Sequence, residues 1–154
     1  MSIIRNLIEY YGIASYLPEE KISFTQINIE DEISSIACNL KIKEICKVYS
    51  RTSVNDTKVV KTLRGQSLEG ISLTGAKVIV SGEVIYKIEF IADNEENSIH
   101  TLNHSIPYTT SLVAPEDIIE DSLVNVEAFI EDINISQIDE ISIFLSSILL
   151  ITIE

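Results

Sequence analysis

The sequence predicts a mostly β fold: a single-domain antiparallel β-sandwich or partly closed barrel with a short N-terminal arm or helix. Three observations carry this reading. The apolar residues are dominated by β-branched types, 29 Ile and 10 Val against 12 Leu, with no Trp and one Met. Such side chains lose rotamer freedom in helices but pack well on a pleated surface. Several segments alternate apolar and polar residues, with turn residues between them. A chain of 154 residues buries about two-thirds of its extended surface, enough for one domain to fold without a disulfide or metal staple.

Ile3, Ile4, Leu7, Ile8 and Tyr11 fall at helical spacing until Gly12 and Pro18 break the run, so residues 1–19 are assigned to the arm or short helix. Residues 20–154 are expected to form the single β domain, stable without the arm. Residues 24–29 alternate and read as a strand. Residues 42–54 alternate weakly and read as a long charged edge strand, followed by a turn at Asn55-Asp56 and a strand over 59–63. Gly65, Gly70 and Gly75 mark a loop. The clearest strand covers residues 78–91, with Val78, Val80, Val84, Tyr86, Ile88 and Phe90 on one face. After the turn at residues 93–97, residues 98–106 return as its hairpin partner, and Pro107 and Pro115 bound a shorter segment. From Val124, Val126, Ala128 and Ile130 the apolar parity slips at Glu131-Asp132 to Ile133 and Ile135, which predicts a β-bulge. Residues 141–153 close the domain. From Ile148 onward they are apolar on both faces, so both faces must be covered, by this domain or by a neighbour.

No catalytic constellation stands out, and the expectation is a protein that is not an enzyme. His100 and His104 share one face of a strand, but four residues there span roughly 13 Å, too far to share a zinc ion. The three glycines of residues 65–75 lack the Lys-Ser/Thr ending of a phosphate-binding loop. The acidic turns at 93–96 and 116–121 do not match an EF-hand, and no Gly-x-Ser-x-Gly elbow is present. No cofactor or metal is expected. Cys38 and Cys46 are too few for a secreted disulfide framework. They read as free thiols, with an intermolecular cross-link as the functional alternative.

The net charge of −13 argues against nucleic acid and anionic membrane surfaces as partners. No apolar run reaches the ~18 residues of a membrane span. The N-terminus lacks the basic flank and cleavage site of a secretory signal, so synthesis and retention on the cytosolic side are expected. Charge is unevenly spread. Residues 1–77 hold 10 Lys/Arg and 9 Asp/Glu, a net of +1, whereas residues 78–154 hold 1 and 15, a net of −14. The basic residues concentrate between Lys41 and Arg64. Two readings stand: a solvated strand edge, or a basic end that meets the acidic end of a neighbouring copy, head to tail. The candidate assembly interface comprises Ile3, Ile4, Leu7, Ile8, Lys43, Lys47, Arg51, Ile148 and Leu150.

Residues 65–82, Gly-Gln-Ser-Leu-Glu-Gly-Ile-Ser-Leu-Thr-Gly-Ala-Lys-Val-Ile-Val-Ser-Gly, lead into Tyr86-Lys87-Ile88-Glu89-Phe90-Ile91-Ala92-Asp93. This pattern resembles the SPOCS domain of clostridial spore-coat proteins: a Leu-Thr-Gly, a Val-x-Gly strand, then an apolar strand ending in Ala-Asp. Ile99-His100, Ile106-Pro107-Tyr108, Val113-Ala114-Pro115, Val124-Asn125-Val126 and Ile130-Glu131-Asp132 follow in the same order, and Phe24-Thr25-Gln26 and residues 43–54 match upstream. The resemblance implies a spore coat or exosporium protein, made in the mother-cell cytoplasm and deposited on the spore; the leading reading is a structural building block of the endospore surface (coat, exosporium or appendage) that works by self-association. An adaptor that docks another spore-coat protein is the first alternative, and a carbohydrate- or peptide-binding module the second. The resemblance brings no catalytic residues.

Overall fold

A computed structural model describes residues 2–19, 23–66, 72–115 and 124–153. Eight strands run in the order β1 (Ser2–Arg5), β2 (Ile8–Tyr11), β3 (Ser23–Ser34), β4 (Ile42–Gln66), β5 (Ser72–Ala92), β6 (Ile99–Val113), β7 (Val126–Gln137) and β8 (Ser142–Ile153). They form a five-stranded sheet, β1-β2-β4-β5-β6, and a three-stranded sheet, β3-β8-β7. The two sheets pack face to face, with β3 over β6 and β4 over β7. All pairings are antiparallel except β2 with β4. The sole described helical turn is a 3-10 turn at Ile36–Cys38.

β5 is the spine of the larger sheet. Val78, Val80, Val84, Tyr86, Ile88 and Phe90 are all fully buried against the other sheet, on the face the alternation predicted. The Tyr86 hydroxyl meets the hydroxyl of Ser147 on β8, so a hydrogen bond joins the sheets at the centre of an otherwise apolar core. At Gly82 the ring of Tyr108 crosses from β6 over β5, and its hydroxyl donates to the Ser53 carbonyl of β4 at 3.1 Å. A Cβ on Gly82 would stand 2.1 Å from that carbonyl oxygen and 2.6 Å from the Tyr108 hydroxyl.

The structure corrects four sequence expectations. The first concerns the N-terminus, where a β-hairpin replaces the helix considered for residues 1–19. Asn6 and Leu7 both take positive φ (51° and 65°) in a two-residue turn that pairs Arg5 with Ile8. Ile8 and Tyr10 then point inward two residues apart. Second, the Asn55-Asp56 turn is a bulge: β4 continues through it, with a register shift between Val54 and Asp56. Two earlier shifts, at Ile42/Glu44 and Ile45/Lys47, explain why this strand alternated weakly. Each adds one residue, so Ile42, Ile45 and Val48 reach the core at a spacing of three. The expected bulge in β7 falls between Ile130 and Asp132. Third, Pro107 does not end a strand but lies inside β6. Fourth, the glycine loop is shorter than expected, because Gly65 and Gly75 belong to β4 and β5; Gly70 and the turn at 116–121 lie outside the described residues.

Gly82→Ala should lower unfolding stability by about 1–3 kcal/mol, since the added methyl must push apart β4, β5 and the Tyr108 ring. A shift in the urea midpoint measures this.

Candidate assembly surfaces

β7 is an edge strand whose outward backbone groups the N-terminal segment occupies. Ile130 O accepts from Ala14 N at 2.8 Å. Ile133 O accepts from the Arg5 guanidinium at 3.0 Å, which also pairs with Asp132 at 2.9 Å. Ile135 N donates to the Tyr10 hydroxyl at 3.1 Å. The crossing between sheets depends on Gly12: its φ is +103°, and a Cβ there would lie 2.1 Å from the Ser50 carbonyl oxygen. Ile8, Tyr10 and Ile13 join the core. The hairpin is therefore part of the sandwich and not a detachable arm.

Two further edges, β6 and β3, are blunted. The bonds Ala92 N to Ser98 O and Ala114 N to Ala76 O fix even-numbered residues of β6 as those bonded to β5. Pro107, an odd residue, thus places its missing N–H on the free edge, where it interrupts strand addition. On β3 the outward N–H of Glu32 is capped by the Asp31 carboxylate at 2.8 Å. That carboxylate also accepts from His104 Nε2 at 2.7 Å, clasping β3 to β6 on the side that no hairpin closes.

The sequence-derived interface residues divide. Ile8 and Leu150 are buried within the chain and Ile3 packs against the core. Leu149, Ile151 and Ile153 fill the inner face of β8. Beside Leu150, the Gln26 amide spans β8 to bond both carboxylate oxygens of Glu131 at 2.7 and 2.9 Å. Residues 149–153 are thus covered by their own domain, which leaves Ile148 half-exposed. Ile4 and Leu7 stay in water, 71% and 83% exposed. Lys43 donates to the Asn97 side chain at 3.0 Å, and Lys47 lies in register between Glu9 and Glu89. Arg51 borders a shallow depression of about 290 Å³ with Tyr49, Lys87 and Asn103. Cys38 is exposed on the 3-10 turn, whereas burial pushes up the thiol of half-buried Cys46; both are free of disulfides.

On the outer face of the larger sheet Tyr11 stacks on Tyr49, with ring centroids 4.8 Å apart, and Lys87 Nζ sits 5.8 Å from the Tyr49 ring centroid. The Tyr11 hydroxyl donates to Glu9 at 2.6 Å. This bond pushes the Tyr11 phenol up to about 12 and holds the Glu9 carboxyl below its usual range. Tyr49 stands in register between Tyr11 and Lys87, so its ring has a neighbour on each side. His100 bonds Ser98 at 2.8 Å. Among the described residues no cluster of three or more His, Cys, Asp or Glu is arranged to hold a metal ion, and no helix is long and apolar enough to cross a membrane.

The family model described as SipL, SPOCS domain, matches residues 41–138, from the start of β4 through the end of β7. The chain belongs to the SPOCS domain family. Membership ties it to sporulation. The β4-β5-β6 meander and bulged β7 form the matched part, while the hairpin, β3 and β8 lie outside it. No curated protein and no solved structure is significantly similar to the chain.

Two predictions follow from the edges. Burying apolar side chains of this size stabilises by roughly 1.5–3 kcal/mol each, against a total of about 5–15 kcal/mol for a domain. Deleting residues 2–17 removes Ile8, Tyr10 and Ile13 together and should abolish the cooperative thermal transition. The clasp gives a pH dependence. The hydrogen bond from His104, aided by Glu32 N–H, holds the Asp31 carboxyl below its usual range. Its contribution is full above the unfolded value near 3.9 and fades as pH falls through the lower folded value. Urea midpoints of the wild type and Asp31→Asn should therefore differ at pH 6 and draw together as the pH falls below about 3.9.

Proposed function

We propose that this SPOCS protein is a non-enzymatic building block of the bacterial endospore surface, in the coat, exosporium or an appendage, and that it works by self-association. Family membership supplies the sporulation context. The observation that carries self-association is the placement of exposed apolar side chains. Ile4 and Leu7 stand on a hairpin that is otherwise bonded into the domain, and Ile36, Leu63, Ile99 and Ile138 are exposed at strand ends and turns. An acidic domain gains nothing by leaving them in water, and covering them with a second copy removes apolar surface from solvent. The polar groups that could suggest chemistry serve the fold instead: His104 clasps two strands, and Tyr10, Tyr86 and Tyr108 each bond across strands or sheets. On this reading the chain is made in the mother-cell cytoplasm and deposited on the spore surface.

The adaptor reading, in which the exposed side chains meet a different coat protein, makes the opposite forecast for the isolated chain. Purified protein should form polymers visible by negative-stain electron microscopy and in sedimentation. A strictly monomeric protein at high concentration would favour the adaptor. Ile4→Ser with Leu7→Ser should leave the thermal midpoint within a few degrees, because exposed positions contribute within about 0.5 kcal/mol, yet reduce the polymer fraction.

A further inference from the structure

We infer that the outer part of the β4–β5 hairpin is a basic prong that docks on the acidic turn end of a second copy, so that the protein assembles head to tail along its strand direction. This rests on the self-association reading above and names its contact surfaces. β6 pairs with β5 only as far as Lys77↔Val113, whereas β4 and β5 pair on to Gln66↔Ser72. Beyond Lys61 the larger sheet is thus a two-stranded ribbon. It bears Arg64 and Leu63, the latter 85% exposed, and Lys61 and Lys58 lie at its base, Lys58 where β6 still pairs with β5; all three cations are exposed. None of these cations forms an ion pair among the described residues. Arg64 is also oriented. Its side chain lies across Gly75, which has φ +91° and where a Cβ would come within 2.8 Å of the Arg64 stem.

The opposite end of the strands has the complementary character. The β5–β6 turn exposes Asp93, Glu95 and Glu96. It is tied to the β7–β8 turn through the start of β4: Asp93 N donates to Lys41 O at 2.8 Å and Ile42 N to Glu140 O at 2.6 Å. Lys41 is engaged with Glu140 at 3.3 Å and Lys43 with Asn97, so the turn carboxylates are left for a partner. Exposed Ile99 and Ile138 lie beside them to receive the Leu63 side chain. Because β4 and β5 each run from one end to the other, prong and acidic turn face opposite ways. Each copy therefore carries one of each, and the contact propagates as an open filament instead of closing a two-fold dimer. Charge sets orientation and register, and the apolar contact supplies the affinity.

The test uses the full chain and two triple variants. Lys58→Glu, Lys61→Glu and Arg64→Glu give a chain acidic at both ends. Asp93→Lys, Glu95→Lys and Glu96→Lys give one basic at both ends. Each alone should need at least about tenfold more protein to polymerise than the wild type, and an equimolar mixture should recover filaments. Light scattering and electron microscopy read the result, and circular dichroism with thermal melting confirms that each variant folds. Wild-type polymers together with unimpaired assembly of the prong variant would overturn the contact and leave self-association standing. A monomeric wild type would overturn both. A lowered melting midpoint with assembly unchanged would show that the cations serve the chain's own acidic segment at 116–121, which also overturns the contact.

Discussion

The structure depends on the seam that the first strands draw between the two sheets. A sandwich of a five-stranded and a three-stranded sheet has edges whose backbone groups need partners, and β7 is one of them. The chain meets that need within its first fourteen residues: a hairpin extends the larger sheet, then Gly12 lets the backbone cross to the smaller one. Four hydrogen bonds and three buried side chains follow from that crossing. The Arg5–Asp132 pair is half-exposed and by itself worth only about 0–1 kcal/mol. Satisfying the buried backbone of β7 and covering the core beneath it is the larger contribution.

Each edge is treated differently, and the differences shape how copies can meet. β7 is covered by the chain itself, β6 is interrupted by Pro107, and β3 carries Asp31 folded back on its own backbone. Lateral strand addition along β3, β6 and β7 is thereby disfavoured. What stays without a strand partner among the described residues is β1, the side of β4 beyond its short pairing with β2, and the turns at the far end. In the assembly proposed above, copies meet end to end in a defined direction and not along these three edges.

Much of the architecture was legible because burial imposes a period of two. The six inward residues of β5 and the slip in β7 were read from alternation alone. The misreading of β4 has a definite cause. Where a bulge inserts a residue, the period breaks without the strand ending, so β4 with its register shifts looked like a weak strand, a turn and a second strand. The N-terminal run failed differently: Ile4 and Leu7 supplied a helical spacing that packing does not use, while Ile8 and Tyr10 carry the burial. Among the candidate interface residues, Leu150 reads as surplus apolar surface until the Gln26–Glu131 bridge, between residues 105 apart in sequence, is known. The basic strand was recognised as a cluster, but its division into engaged Lys41 and Lys43 and unpaired Lys58, Lys61 and Arg64 depends on long-range register. Sequence spacing does not encode that register.

The position of β8 has a consequence for how the molecule comes into being. It is the middle strand of the smaller sheet, between β3 and β7, yet it follows both in the chain. While the chain emerges from the ribosome, β4, β5 and β6 can zip up with their neighbours in sequence, but β3 must wait more than a hundred residues for the strand that pairs with it. Until then the inner face of the larger sheet, including Tyr86 and Phe90, lacks its cover. Late closure of such distant pairings makes folding slow and leaves a sticky intermediate. The time between synthesis and the arrival of β8 is therefore when this protein is most exposed to capture by chaperones or by its own copies.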